Sequence, residues 1–311
     1  MIVRWGIAAL PELAGEHPFV VAGPRWRDVL PAAHRWEEVP SHRIEVPGGV
    51  EAIVAIGGGS AIDTAKAASA ATGLPLVSVP TTYSGAEWTA FFGVRDPGRR
   101  MRGGGSGANL HAIVYEPELT LGLPVRETVG TALNALAHAA EALYVRERSV
   151  ETDRDALEGA RLIGAWLPRV VEGPDDREAR AGLLRGACHA GAALGGSMLA
   201  LAHALAQGLG GRYGAPHGAL NALTLPPALR FNEAVATAEI TSFARALGTD
   251  DAAGRVEELA RLGGYERLRD LGIPKEAPEE VAEAVAARPG AKANPRPVTP
   301  ADVAELIRSI W

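Results

Sequence analysis

Cysteine is almost missing: the 311 residues contain one, Cys188. That excludes an internal disulfide framework and a cysteine-built metal cage. Cys188 lies among Ala187, Ala190 and Gly191, as a small core residue does. A basic surplus is also missing. The 31 Lys and Arg against 37 Asp and Glu leave a formal net charge of −6, which argues against a nucleic-acid partner. No apolar run is long enough to span a bilayer, so no membrane partner is expected. The opening Met1-Ile2-Val3-Arg4-Trp5-Gly6 lacks the charged start, apolar block and cleavage site of a signal peptide, and a cytoplasmic location is the expectation. Apolar residues, by contrast, are plentiful at 47%, enough to build one large domain or two modest ones.

The most informative stretch is Ala55-Ile56-Gly57-Gly58-Gly59-Ser60-Ala61-Ile62-Asp63-Thr64-Ala65-Lys66. Residues 53–56 form a short apolar run suited to a buried strand, and the small residues after 60 suit a helix to about residue 71. Strand, glycine turn and helix offer bare backbone N–H groups and a helix N-terminus to a phosphate. The other reading is a tight turn that binds nothing. Residues 76–80 read as the next strand. The hydroxyls of Thr81, Thr82 and Ser84 follow at the same carboxyl edge, where open α/β sheets gather ligands. The pair of loops suggests a dinucleotide crevice; a hydroxyl-rich turn bonding its own backbone is the alternative.

Further strands are expected over 2–5, 19–22, 43–46 and 112–115. Too few residues separate Gly48-Gly49 from the strand at 53–56 to hold a crossover helix. Helical periodicity then dominates, with helices expected over 128–146, 152–168, 176–207, 217–229, 233–246, 252–263, 265–270, 277–287 and 300–310. The fold class is therefore an α/β nucleotide-binding domain with a parallel, Rossmann-like sheet over 1–125, followed by an all-α domain over 126–311. The segment Arg99-Arg100-Met101-Arg102-Gly103-Gly104-Gly105-Ser106-Gly107 reads as a flexible basic loop.

Polar residues interrupt the helical half at three places. Asn134 and His138 lie four apart on one helical face, as do His203 and Gln207, and His217 stands at a helix start. Imidazoles at 138, 203 and 217 could converge on a divalent metal, Fe or Zn. Such a site would gain from a carboxylate, and Asn134 offers a neutral amide oxygen instead. Glu141, one turn past His138, could supply that carboxylate, or equally be a helix-face residue turned to solvent or to an arginine.

Taken together these residues resemble the iron-containing alcohol dehydrogenase superfamily. The likeness rests on the Gly57-Gly58-Gly59-Ser60 turn with Asp63 and Lys66, on Pro80-Thr81-Thr82, on Glu116-Pro117-Glu118-Leu119, and on His138, His203 and His217. Its maleylacetate reductase branch is resembled through Thr81-Thr82-Tyr83-Ser84-Gly85-Ala86-Glu87, through Asn134 where metal-dependent members carry Asp, through Thr120-Leu121-Gly122-Leu123-Pro124, and through Asn294-Pro295-Arg296-Pro297-Val298-Thr299. The resemblance implies the dehydroquinate synthase-like architecture of that superfamily, with the active site in the cleft between its domains. It implies NAD(H) or NADP(H) as cofactor. Gly57, Gly58, Gly59 and Ser60 would hold the pyrophosphate, with Asp63, Thr81, Thr82 and Ser84 along the cofactor. His138, His203 and His217 would surround the reacting carbon.

The activity so implied is hydride transfer to the conjugated C=C bond or carbonyl of a small oxo-acid. Reduction of a conjugated C=C leaves an enolate whose spread charge needs no metal, whereas an alkoxide favours one. Arg99 and Arg100, with Arg102, are the expected guanidinium partners of a dianionic substrate, with Asn134 beside it. Gln207 stands where the family commonly has a titratable histidine, so proton transfer passes to His203, Tyr83, His217 or a water chain. The rival readings are a metal-dependent alcohol or aldehyde dehydrogenase, a non-redox lyase or cyclase, and a member that has lost catalysis. Glu37 or Glu38 would favour NAD over NADP by repelling a 2′-phosphate. A homodimer is the expected assembly.

Overall fold

The computed structural model describes residues 1–98 and 100–311. It divides into two compact units, Met1–Thr82 with Ala86–Gly122, and Tyr83–Gly85 with Leu123–Trp311. In the first unit the chain runs through β1 (Ile2–Trp5), α1 (Leu10–Ala14), β2 (Pro18–Ala22), β3 (His34–Trp36), β4 (Ala52–Gly57), α2 (Gly59–Thr72), β5 (Pro75–Pro80), β6 (Phe92–Arg95), β7 (Met101–Gly105) and β8 (Asn109–Tyr115). Six strands form one parallel sheet in the order β1-β8-β5-β4-β2-β3.

The central strands are apolar without interruption because both faces of the sheet are covered. Val54 and Ile56 of β4 turn to one face with Val20, Ala22, Val77, Val79 and Val114, where Leu10 and Ala14 of α1 cover them. Ile53 and Ala55 turn to the other face with Phe19, Val21 and Leu76, under Ile62, Ala65 and Ala68 of α2. The chain steps from β2 outward to β3, but from β4 in the opposite direction to β5. The carboxyl ends of β2 and β4 thus flank the point where the winding reverses, the usual ligand position in such sheets.

Two expectations for this unit are corrected. Residues 43–46 are not a strand. Ile44 and Val46 are apolar because the helix-free connection between β3 and β4 packs on the sheet face beside α2, so they are partly buried without pairing. The basic stretch after residue 99 is not a flexible loop either: Met101–Gly105 pairs antiparallel with Phe92–Arg95. Glycines have little strand propensity, which hid this hairpin.

The second unit is helical: α3 (Val125–Ala142), α4 (Val150–Glu172), α5 (Arg177–Gly195), α6 (Leu201–Tyr213), α7 (His217–Asn232), α8 (Thr237–Ala246), α9 (Ala252–Arg261), α10 (Ala277–Ala286), α11 (Pro289–Ala293) and α12 (Pro300–Ser309). α3 is its central helix, buried almost continuously from Thr128 to Ala142. It meets α7 backbone to backbone. A Cβ at Gly218 would sit 2.6 Å from the carbonyl of Gly130, so glycine there sets the helix spacing. The single helix expected over 176–207 is broken after Gly195 and resumes at Leu201. Among the described residues no helix is long and apolar enough to cross a membrane.

Candidate active site

The glycine turn of the first unit joins β4 to α2. Gly58 is the N-cap of α2, no side chain caps the helix, and no acidic residue stands in its first turn. The Gly59 and Ser60 N–H groups and the positive end of the helix dipole stand at this turn, the arrangement an anion site uses. A Cβ at Gly58 would meet Thr82 Cγ2 at 2.8 Å. The turn is a cradle that a larger residue would fill, and it fits the pyrophosphate of a dinucleotide. The Thr81 N–H donates to the Gly57 carbonyl at 3.0 Å, which lays the Thr81-Thr82 strand end beside the turn with Ser60 at the helix start.

Asp63 does not join that cradle. Its Oδ2 accepts from the Gly93 N–H at 3.3 Å and its Oδ1 lies 3.5 Å from Lys66 Nζ. Being one turn into α2, it faces β6 rather than the helix head. Lys66 is 1% exposed and donates to the Phe91 carbonyl at 2.8 Å. Burial pushes its ammonium pKa down, against the opposing carboxylates of Asp63 and Glu87. Glu87 is also buried. Its Oε1 accepts from the Tyr115 hydroxyl at 2.7 Å, and Oε2 has no partner. Burial pushes the Glu87 pKa up from the ordinary 4.5. A raised carboxyl pKa means that the folded state binds the proton more tightly than the unfolded chain, so stability falls as pH rises above that ordinary value. Glu87→Gln removes the titration. Its melting temperature relative to the parent is expected to rise between pH 4 and pH 8 in thermal scans, and an unchanged difference would contradict the account.

Glu37 and Glu38 follow β3, not the second strand. Glu37 is paired with Arg27 and Glu38 accepts from the Ser41 hydroxyl at 3.0 Å. Arg99 lies outside the described residues. Arg100 sits in the exposed turn before β7, its N–H donating to Asp96 Oδ1 at 2.9 Å. Arg102 is ion-paired to Asp96 at 2.6 Å.

In the second unit Asn134, His138 and Glu141 share one face of α3, and Tyr83–Gly85 lies along it. The Tyr83 N–H donates to Thr131 Oγ1 at 3.4 Å, and Asn134 Nδ2 donates to the Ser84 carbonyl at 2.7 Å. A Cβ at Gly85 would come 3.1 Å from His138 Nδ1. The Tyr83 side chain is fully buried, with its hydroxyl 3.4 Å from Arg180 Nη1. Arg180 also donates to Thr128 Oγ1 and to the carbonyls of Leu123 and Pro174. One buried arginine on an otherwise ordinary amphipathic helix gave no sequence signal for this role.

The three imidazoles come together. The rings of His138 and His203 stack with centroids 4.6 Å apart, and those of His203 and His217 are 5.7 Å apart. Glu141 organises this group and is fully buried, facing neither solvent nor arginine. Its Oε2 takes the Ala200 N–H at 2.8 Å and lies 2.7 Å from His203 Nδ1, while Oε1 takes the His203 N–H at 3.2 Å. One carboxylate thus caps the start of α6 and orients the ring in its first turn. The chain break before Leu201 exists to present these N–H groups. His203 Nε2 is left buried without a hydrogen-bond partner. The signal that could have identified Glu141 was its place on the Asn134–His138 face.

Asn221, also absent from the sequence reading, fixes His217. Asn134 must turn Nδ2 to the Ser84 carbonyl, so its Oδ1 faces Asn221. The fully buried Asn221 therefore presents Nδ2, donating to Asn134 Oδ1 at 2.6 Å and to His217 Nε2 at 3.0 Å. His217 Nε2 is thereby an acceptor and the ring proton sits on Nδ1.

These contacts do not fit a bound Fe or Zn ion. A metal needs lone pairs aimed in the ring planes at one point. The planes of His138 and His203 are only 13° apart, so they intersect far from both nitrogens. His217 Nε2 and Asn134 Oδ1 are engaged by Asn221. Among the described residues no group of three His, Cys, Asp or Glu is arranged to hold a metal. As placed here, His138, His203 and His217 with Asn134 do not aim their donors at one point.

A sheet with a phosphate-type turn and a helical unit carrying clustered histidines define a class, and comparison with known proteins agrees. Residues 128–311 match the C-terminal domain of the Fe-containing alcohol dehydrogenase family and residues 43–114 match iron-containing alcohol dehydrogenase. The chain belongs to the iron-containing alcohol dehydrogenase family. Within it, the similarity is to the maleylacetate reductase-like branch. Maleylacetate reductase of Burkholderia cepacia is 41% identical over 80% of this chain and 71% of its own length. The crystal structure of maleylacetate reductase from Agrobacterium tumefaciens superposes with a TM-score of 0.86 at 28% identity, covering 100% of this chain and 95% of that one. An iron-containing alcohol dehydrogenase from Corynebacterium glutamicum gives a TM-score of 0.88 at 29% identity over 100% and 94% of the two chains.

Proposed function

We propose that this chain is an NAD(P)H-dependent reductase that saturates the conjugated C=C bond of a small 4-oxo-2-enedioate of the maleylacetate type, giving the 3-oxo acid. The observation that carries the reading is the cluster of His138, His203 and His217 held by Glu141, Asn134 and Asn221 in a manner that leaves no metal-ligating set. Such a cluster suits a product anion whose charge is delocalised as an enolate, which hydrogen bonds can stabilise.

Gly57, Gly58, Gly59 and Ser60 would hold the cofactor pyrophosphate, with Thr81 and Thr82 beside it. When bound, the reduced nicotinamide supplies the hydride. His203, held at Nδ1 by Glu141, would pass a proton from Nε2 in its doubly protonated form to the enolate left by hydride addition, and regain that proton from solvent. His217, held at Nε2, donates through Nδ1–H. Asn134 and Asn221 preserve that arrangement, with His138 and His203 buried.

The test is to incubate metal-analysed protein with NADH or NADPH and either maleylacetate or simple aldehydes, following loss of the reduced cofactor's absorbance. Turnover of maleylacetate is expected to be unaffected by EDTA, with kcat/KM for neutral aldehydes lower by on the order of 10²-fold or more. Turnover that requires added Fe(II) or Zn(II) would favour the metal-dependent dehydrogenase reading.

A further inference from the structure

Gln207 lies one turn beyond His203 on α6, and its partner is a cation without an anion. Arg288, between α10 and α11, donates from Nη1 to Gln207 Oε1 and from Nη2 to the Gln207 carbonyl, both at 3.4 Å. Both contacts are long for N–H···O hydrogen bonds. The Arg288 Nε is buried and has no partner. No carboxylate among the described residues is paired with this guanidinium. Burial alone pushes its pKa down, with no neighbouring charge acting on it. A partly buried guanidinium held only by neutral oxygens is an unfinished ion pair. Because Gln207 accepts from Arg288 through Oε1, its amide nitrogen remains a second donor next to the guanidinium.

We propose that Arg288, with the Gln207 amide, is a carboxylate-binding subsite that anchors the end of a dicarboxylate substrate away from the reacting carbon and so selects dicarboxylates over neutral and monoanionic substrates. This rests on the reductase reading above for its substrate. It offers a guanidinium other than that of Arg102, which is already paired to Asp96, whereas Arg288 meets no carboxylate among the described residues. The two subsite residues lie within one unit, and the arginine runs past Gly208 and Gly211 of α6. A Cβ at Gly208 would reach Arg288 Nε at 3.8 Å and one at Gly211 would reach Nη2 at 3.8 Å. A planar guanidinium with a neighbouring amide suits a carboxylate's two oxygens.

Two measurements test it. In steady-state assays Arg288→Gln is expected to raise the Michaelis constant for maleylacetate by on the order of 10- to 100-fold with kcat nearly unchanged, and Arg288→Lys to recover part of the loss. Independently of turnover, adipate is expected to raise the melting temperature of the parent protein but not of Arg288→Gln, while hexanoate shifts neither. Gln207→Leu, which keeps the arginine, is expected to weaken the adipate shift in the same direction. Equal adipate shifts in parent and Arg288→Gln, or an unchanged Michaelis constant in a folded Arg288→Gln, would overturn the proposal. If adipate stabilises the parent through Arg288 but maleylacetate is not reduced, the subsite stands and the reductase reading falls.

Discussion

His203→Ala is expected to lower kcat for maleylacetate by on the order of 10²- to 10⁴-fold, with little change in cofactor affinity. The reason is the asymmetry of the ring. Nδ1 is bound by Glu141 at 2.7 Å, and Nε2 is buried without a partner. A ring pinned at one nitrogen can move a proton only through the other. Loss of the ring therefore removes an interaction made in the transition state, which depresses kcat and kcat/KM together. Glu141 keeps its two backbone donors at the start of α6, so the variant is expected to fold. Steady-state kinetics and an NADH fluorescence titration measure the two quantities. A fall of less than about tenfold would assign proton transfer elsewhere.

Filling the glycine turn should act on the cofactor instead. Gly58→Val is expected to weaken NADH binding by on the order of 10²-fold. The backbone at this residue, φ −82° and ψ −172°, is open to valine, so conformational strain is not the cause. The cause is the side chain, which occupies the anion cradle and meets Thr82 Cγ2 at 2.8 Å. Adding Thr82→Ser removes that methyl and is expected to restore thermal stability without restoring cofactor binding. Recovery of both would mean that the clash, not occupation of the cradle, weakened binding.

The residues of the glycine turn and the three histidines were legible because each belongs to a short pattern. Gly57 to Ser60 follow an apolar run and open a helix, and periodicity alone puts Asn134 and His138 on one face. Glu141 was visible on that same face, yet its role was not. A carboxylate that caps a helix 59 residues away leaves no local mark. The break before Leu201 escaped notice for a related reason. Gly195 and Gly196 end the first helix locally, and the acceptor offered by Glu141 takes the N–H groups that the second one opens with. The hairpin at Phe92–Arg95 and Met101–Gly105 was hidden by glycines, and residues 43–46 read as a strand because sheet-covering coil and strand are apolar alike.

By itself the amino-acid sequence determined the class of fold, the strand, glycine turn and helix, and the family, since strand, turn and helix preferences and local motifs act over a few residues. The tertiary structure alone decided which nitrogen of His203 meets Glu141 and which of His217 meets Asn221. It also decided that Arg288 meets Gln207 and, among the described residues, no carboxylate. Those properties depend on which polar atoms meet once distant helices pack. Asn221 and Asn134 are 87 residues apart and Gln207 and Arg288 are 81 apart, and hydrogen bonding at about 3 Å has no counterpart in sequence spacing.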